Sequence, residues 1–143
     1  MSLPPPILYD PSVHQHLLYQ FAQIHIDSVV NDEIASAILP PLEETSDGDP
    51  DARVVRYWLL RAREVEEGSR FIVVQLLPDE EVLGLVSFHR NRGDGASQGI
   101  EKLLVRSDHL RQGIARCLIA RLEAEARHRN WRFLVWYSFL YKR

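Results

Sequence analysis

Apolar residues recur every three or four positions near the start of the chain. Val13, Leu17, Phe21, Ile24 and Val29 form one stripe, widened by Leu18. That spacing predicts a helix from Val13 to about Val30, with Ser12 as its N-cap. Ahead of it, Ile7-Leu8-Tyr9 is a candidate first strand, stopped by Asp10-Pro11. Glu33 to Leu39 reads as a short further helix ended by Pro40-Pro41. Asp49-Pro50-Asp51 combines a cap, a proline at the first helical position and an acid on the helix dipole, so it predicts a helix start. Val54, Trp58, Ala62 and Val65 then share a face, and Gly68 is a stop.

Beyond Gly68 the pattern changes to short apolar runs. Phe71 to Leu77 and Val82 to Phe88 read as two strands of a hairpin joined by Pro78-Asp79-Glu80-Glu81. Asn91 to Gly95 is a loop, and Gly99 to Val105 is the next strand. The helical period returns from Gln112 to Arg129, with Ile114, Leu118, Leu122 and Ala126 on one stripe and Asn130 as the C-cap. Arg132 to Phe139 reads as a final strand. The order β-α-α-β-β-β-α-β is that of a mixed α/β (α+β) layer.

With 143 residues, 45% hydrophobic and 26% charged, the chain has the size and mix of one globular domain. No apolar run approaches the ~18–20 residues of a membrane span. Met1 to Pro6 has no basic n-region and no long apolar core, so no signal peptide and a cytoplasmic location are expected. The single Cys117 excludes an internal disulfide and a multi-cysteine metal site. His14 and His16 point to different helix faces, so no metal is expected. Charge, however, is polarised. Residues 1–50 hold eight acids and no Lys or Arg, whereas residues 98–143 hold ten bases and four acids. The basic half suits an anionic ligand and the acidic half a cationic one. Glu123 and Glu125 interrupt the arginines of the late helix, so nucleic acid is not an expected partner.

The stretch that carries chemistry runs from Glu101 to Leu118. A strand ends at Val105, a loop follows, and a helix opens at Gly113-Ile114-Ala115. Free backbone N–H groups and the positive end of the dipole make such a helix start an anion site. Gly113 permits close approach to the backbone, Ala115 keeps the first turn narrow, and Arg111 and Arg116 add charge. An ordinary strand–loop–helix connection has the same features. The dinucleotide fingerprint Gly-x-Gly-x-x-Gly is absent, and so is a Walker loop.

Leu103-Leu104-Val105-Arg106-Ser107-Asp108-His109-Leu110-Arg111-Gln112-Gly113-Ile114-Ala115-Arg116 resembles motif A of the GNAT acyltransferase superfamily. That motif is a strand ending in Leu-x-Val, a short loop, and Arg/Gln-x-x-Gly-x-Gly/Ala at a helix start. The chain is most similar to small GNAT enzymes of the antibiotic- or toxin-resistance kind, whose strand reads Glu-Lys-Leu-Leu-Val as here. The resemblance implies a mostly antiparallel sheet flanked by helices. It also implies an N-acetyltransferase that moves an acetyl group from acetyl-CoA to a primary amine of a small molecule. The loop amides of Arg111, Gln112, Gly113, Ile114, Ala115 and Arg116 would hold the pyrophosphate. The backbone of Leu103, Leu104 and Val105 would pair with the pantetheine arm like an added strand. A bulge in that strand would open the thioester slot.

The chain departs from the family pattern in two places. The leading Arg or Gln falls at Leu110, with Arg111 in place of a small residue. The family also continues after the final strand with a helix and a hairpin, whereas few residues follow Phe139 here. The expectation is therefore a single domain over residues 1–143, shortened at its C-terminus. A second reading follows, a non-catalytic remnant that binds CoA weakly or serves as a protein-interaction module. The apolar face of the final strand, with Trp136, Phe139 and Leu140, would then favour a homodimer.

Acyl transfer to an amine needs a proton acceptor and a donor for the developing oxyanion. Glu101, four residues before Val105, is the candidate base, and a backbone N–H at Leu104 or Val105 the oxyanion donor. A strand-surface glutamate paired with Arg or Lys is the plain alternative. Tyr141 is the candidate general acid, with Tyr137 the other late tyrosine. Glu43 and Glu44, in the acidic loop from Glu43 to Asp49, are candidates for attracting a cationic acceptor, although such pairs also occur simply as solvated loops. His25 stands alone, His109 lies in the phosphate loop, and Cys117 is expected to pack.

Overall fold

A computed structural model of the chain describes residues 3–31, 50–90, 99–109 and 112–131. Strand β1, Ile7–Leu8, leads into helix α1, Pro11–His14. A 3₁₀ turn, Gln15–Leu17, joins α1 to α2, Leu18–Asn31. Helix α3 is Pro50–Glu67. Strands β2, Arg70–Leu76, β3, Val82–His89, and β4, Gly99–Val105, follow. A second 3₁₀ turn, Ser107–His109, precedes helix α4, Ile114–His128. The four strands form one antiparallel sheet in the order β1-β2-β3-β4. The expected helix over Glu33 to Leu39, the loop over Asn91 to Gly95 and the strand over Arg132 to Phe139 lie outside the described residues.

Each sheet face has its own apolar core. On one face, Leu17, Phe21 and Ile24 of the first helical layer and Val54 and Trp58 of α3 cover Ile72, Val74, Leu85 and Leu104. On the other, Ile114, Leu118, Leu122 and Ala126 of α4 cover Phe71, Val73, Leu83, Val86 and Phe88. All four residues of the predicted α4 stripe are buried. The α3 stripe holds as well, with Val65 half-buried at its end.

The first helix differs from expectation in its cap and in its phase. The cap of α1 is Asp10 and not Ser12. Pro11 takes the first helical position, and the Asp10 carboxylate accepts from the Ser12 N–H at 3.0 Å and the Ser12 hydroxyl at 2.7 Å. These two bonds hold the Asp10 carboxyl below its ordinary range. Val13 is exposed, because the 3₁₀ turn shifts the phase of the stripe between it and Leu17. The stop at Gly68 forms as expected. Gly68 adopts φ +87°, and the Ser69 N–H donates to the Glu64 carbonyl at 3.1 Å.

Candidate active site at the free edge of β4

Strand β4 pairs with β3 and, among the described residues, with no other strand. Val105 lies opposite Gly84, Leu104 opposite Leu85, and Leu103 opposite Val86. One residue beyond the strand, the Arg106 N–H donates to the Leu83 carbonyl at 2.8 Å. Antiparallel pairs alternate between those that exchange hydrogen bonds and those that do not. Leu104 therefore turns its backbone groups toward β3. Leu103 and Val105 turn theirs toward the other edge, where no strand of the described residues pairs with them.

The pairing of β4 with β3 slips once. Lys102 lies opposite Ser87 and Ile100 opposite Phe88, so Glu101 is the extra residue of a bulge. Bulges bend a strand and re-aim a side chain. The bulge also explains why Ile100 and Leu103, three residues apart, pack into the same core. The backbone position of Glu101 is thus at the bend. Its side chain, and those of Glu43, Glu44, Arg111, Tyr137 and Tyr141, lie outside the described residues.

From Val105 the chain turns through Arg106 to His109. The Ser107 hydroxyl donates to Asp27 of α2 at 2.9 Å, and the His109 N–H donates to the Arg106 carbonyl at 2.9 Å. The Arg106 guanidinium pairs with Glu81 and reaches Asp108 at 3.4 Å. These bonds tie the turn both to α2 and to the hairpin. A polar cleft of about 460 Å³ opens between α2 and this turn, lined by Gln20, Gln23, Asp27, Arg106, Ser107 and Asp108 among others. Nothing in the local sequence marks the Asp27–Ser107 tether, which links positions 80 residues apart.

Helix α4 opens with Gly113 as its N-cap in the left-handed conformation, φ +80° and ψ 8°. The first intrahelical bond runs from the Cys117 N–H to the Gly113 carbonyl at 3.1 Å. The N–H groups of Gly113, Ile114, Ala115 and Arg116 therefore have no acceptor within the helix. Among the described residues, no atom lies within 4 Å of where a Gly113 Cβ would stand, so there is open space beside this residue. Gln112, Gly113 and Arg116 are exposed, Ala115 is half-buried, and the Ile114 side chain anchors the turn in the core. His109 reaches Gln112 at 3.3 Å, closing the loop on itself. Cys117 is exposed rather than packed, since it falls on the solvent side of a helix whose inner stripe is Ile114, Leu118 and Leu122.

The start of α4 thus combines the positive end of its dipole with N–H groups that have no intrahelical acceptor, the features of an anion site, and it follows the strand whose outward backbone belongs to Leu103 and Val105. Among the described residues, no group of three or more His, Cys, Asp and Glu could hold a metal ion, and no helix is long and apolar enough to cross a membrane.

Residues 32–140 match the family described as Acetyltransferase (GNAT) family. The chain belongs to the GNAT family. Solved GNAT structures share its fold. A GNAT-family acetyltransferase from Staphylococcus aureus subsp. aureus matches with TM-score 0.65 at 17% identity, over 92% of this chain and 98% of that one. An aminoglycoside acetyltransferase from an uncultured soil metagenomic sample matches with TM-score 0.62 at 18% identity, over 93% and 77%. The PaiA N-acetyltransferase from Thermoplasma acidophilum, solved in complex with coenzyme A, matches with TM-score 0.64 at 12% identity, over 99% and 88%. No curated protein matches the chain. Family and fold together make this a GNAT acetyltransferase domain, a member of a family described by acetyl transfer.

Proposed function

We propose that the protein is an N-acetyltransferase that acetylates a primary amine of a small molecule by direct attack in a ternary complex. The observation that carries this reading is the placement of the open Gly113 helix start next to the free edge of β4. Acetyl-CoA supplies the acetyl group as a thioester, whose carbon exchanges its bond to sulfur for one to the amine nitrogen.

The N–H groups of Gly113 to Arg116 bind the diphosphate, with the Arg111 and Arg116 side chains adding positive charge. Gln112, Ile114 and Ala115 contribute as backbone. Leu103 and Val105 pair with the arm. Leu104 supports them by holding β4 on β3. Of the two oxyanion donors that the sequence allows, the Val105 N–H is the one aimed at the free edge, so it meets the charge that develops on the carbonyl oxygen. Glu101, at the bulge, takes the proton that the amine loses. Tyr141 donates a proton to the departing thiolate, and Glu43 and Glu44 draw in the cationic acceptor. These last three roles rest on the sequence alone. A thiol-release assay with acetyl-CoA and a panel of small amines tests the reading. Amine-dependent release of CoA is expected. A protein that binds acetyl-CoA but consumes no amine in the panel contradicts it.

A further inference from the structure

Beside the bulge of β4 stands a cation that pairs with no carboxylate among the described residues. Lys102 follows Glu101 and lies opposite Ser87, on the sheet face covered by α2 and α3. Its ammonium lies 5.2 Å from the centre of the Tyr57 ring, and its side chain is half-buried. Arg61 covers the same ring at 4.6 Å. The two cations are not equivalent. Arg61 pairs with Glu64 at 2.9 Å, and the same carboxylate receives Arg70 at 2.7 Å. Glu64 is thus already shared between two arginines. Among the described residues no carboxylate pairs with Lys102.

A second donor lies against the same aromatic. His25 is fully buried, with its ring 5.7 Å from that of Tyr57. The Trp58 indole N–H donates to His25 Nδ1 at 3.2 Å. Nδ1 is therefore the acceptor and Nε2 carries the proton. Among the described residues that buried N–H meets no acceptor. Burial, and then the charge of Lys102, push the His25 pKa down to about 4, so the ring is neutral and Lys102 remains the cation of this pair.

Among the described residues this wall therefore holds one half-buried cation, Lys102, with no carboxylate partner, backed by the buried N–H of His25. Buried and half-buried charges are stable when paired, so such a wall complements an anion rather than an ammonium group. Its position identifies the anion. The outward groups of Val105 and Leu103 lead back from the Gly113 helix start toward the bulge, at about 3.3 Å per residue. A ligand laid along that edge, with its diphosphate at Gly113, ends near Glu101. Lys102 is the next residue. The anion is thus part of the molecule that meets the acetyl group and not part of the nucleotide.

We propose that the acceptor is a small amine that also carries a carboxylate, an amino acid being the simplest, and that Lys102 selects it by pairing with that carboxylate. This inference rests on the acetyl-transfer reading above. The amine and carboxylate of one acceptor then meet opposite charges at adjacent positions of β4, its amine the side of Glu101 and its carboxylate Lys102.

Each common amino acid and its decarboxylated amine form a pair that differs only in the carboxylate. CoA release is followed for every pair, and acetyl-CoA affinity is measured by calorimetry. In at least one pair the amino acid is expected to show a kcat/KM about ten-fold or more above its amine. Lys102→Met collapses that ratio, Lys102→Arg keeps most of it, and both variants keep the wild-type affinity for acetyl-CoA. Equal or better use of the decarboxylated amine in every pair overturns the proposal. So does a ratio that survives Lys102→Met, or a protein that binds acetyl-CoA and consumes no amino acid. Failure to bind acetyl-CoA instead overturns the acetyl-transfer reading beneath it.

Discussion

Gly84 and Leu104 meet backbone to backbone. A Cβ on Gly84 would stand 2.8 Å from the Leu104 carbonyl oxygen and 3.3 Å from Ile114 Cγ2 and Leu118 Cδ1. Only the absence of a side chain lets α4 settle on β3 and β4 at this point. The contact fixes where the Gly113 helix start lies relative to the edge of β4. Gly84→Ala is predicted to cost about 1–3 kcal/mol by overpacking. It also weakens acetyl-CoA binding, because α4 must move away from the strand. Urea denaturation and calorimetry check this, and wild-type values in both would show that the contact is slack.

Gly113 bears on the anion site directly. Its φ of +80° disfavours any side chain, but the space beyond it is open, so a larger residue is tolerated without collision. Gly113→Glu places a carboxylate before the four free N–H groups. It is predicted to abolish acetyl-CoA binding while costing only about 1–2 kcal/mol of stability. Unchanged affinity would reject the placement of the diphosphate here.

Glu101 is the extra residue of the bulge in β4. Glu101→Gln keeps the shape and removes the proton acceptor. Turnover is predicted to fall by roughly 10²-fold or more with acetyl-CoA affinity retained. An unaltered rate at every pH would remove its role as base.

His25 gives the fold a dependence on acid. Its pKa falls from 6.5 to about 4 on folding, through burial first and Lys102 second. Between those values the unfolded chain binds a proton that the folded chain does not. Stability is therefore complete above pH 6.5, declines as the pH falls toward 4, and declines no further from this group below that. The loss over the window amounts to up to about 3 kcal/mol. His25→Gln, which retains an acceptor for Trp58, is predicted to flatten this part of the profile. The check is urea midpoints between pH 7.5 and 4.5, where an equally steep profile in the variant would assign the slope to other groups.

Much of this arrangement is legible in the sequence, for local reasons. The stripe Ile114, Leu118, Leu122 and Ala126 has the period of a helix, and both this helix and the strand read over Gly99 to Val105 form where expected. The helix start at Gly113 is legible too, since a glycine ahead of the apolar stripe marks it whatever surrounds it. What escapes is set by register or by distance. Pro11 at the first helical position was the available sign that Asp10, not Ser12, is the cap. The 3₁₀ turn at Gln15–Leu17 has no sequence mark, so Val13 falls off the stripe. The bulge at Glu101 shows only as apolar residues three apart in a strand, Ile100 and Leu103. His25 looked isolated because its partners, Trp58, Tyr57 and Lys102, come from elements far along the chain.

The central claim is that the Gly113 helix start and the edge of β4 together bind acetyl-CoA. A thermal melt with and without acetyl-CoA tests it most directly. At 100-fold over the dissociation constant, the ligand should add roughly 2.7 kcal/mol and move a cooperative transition upward. A cooperative melt that acetyl-CoA leaves in place, even at millimolar concentration, would contradict the account.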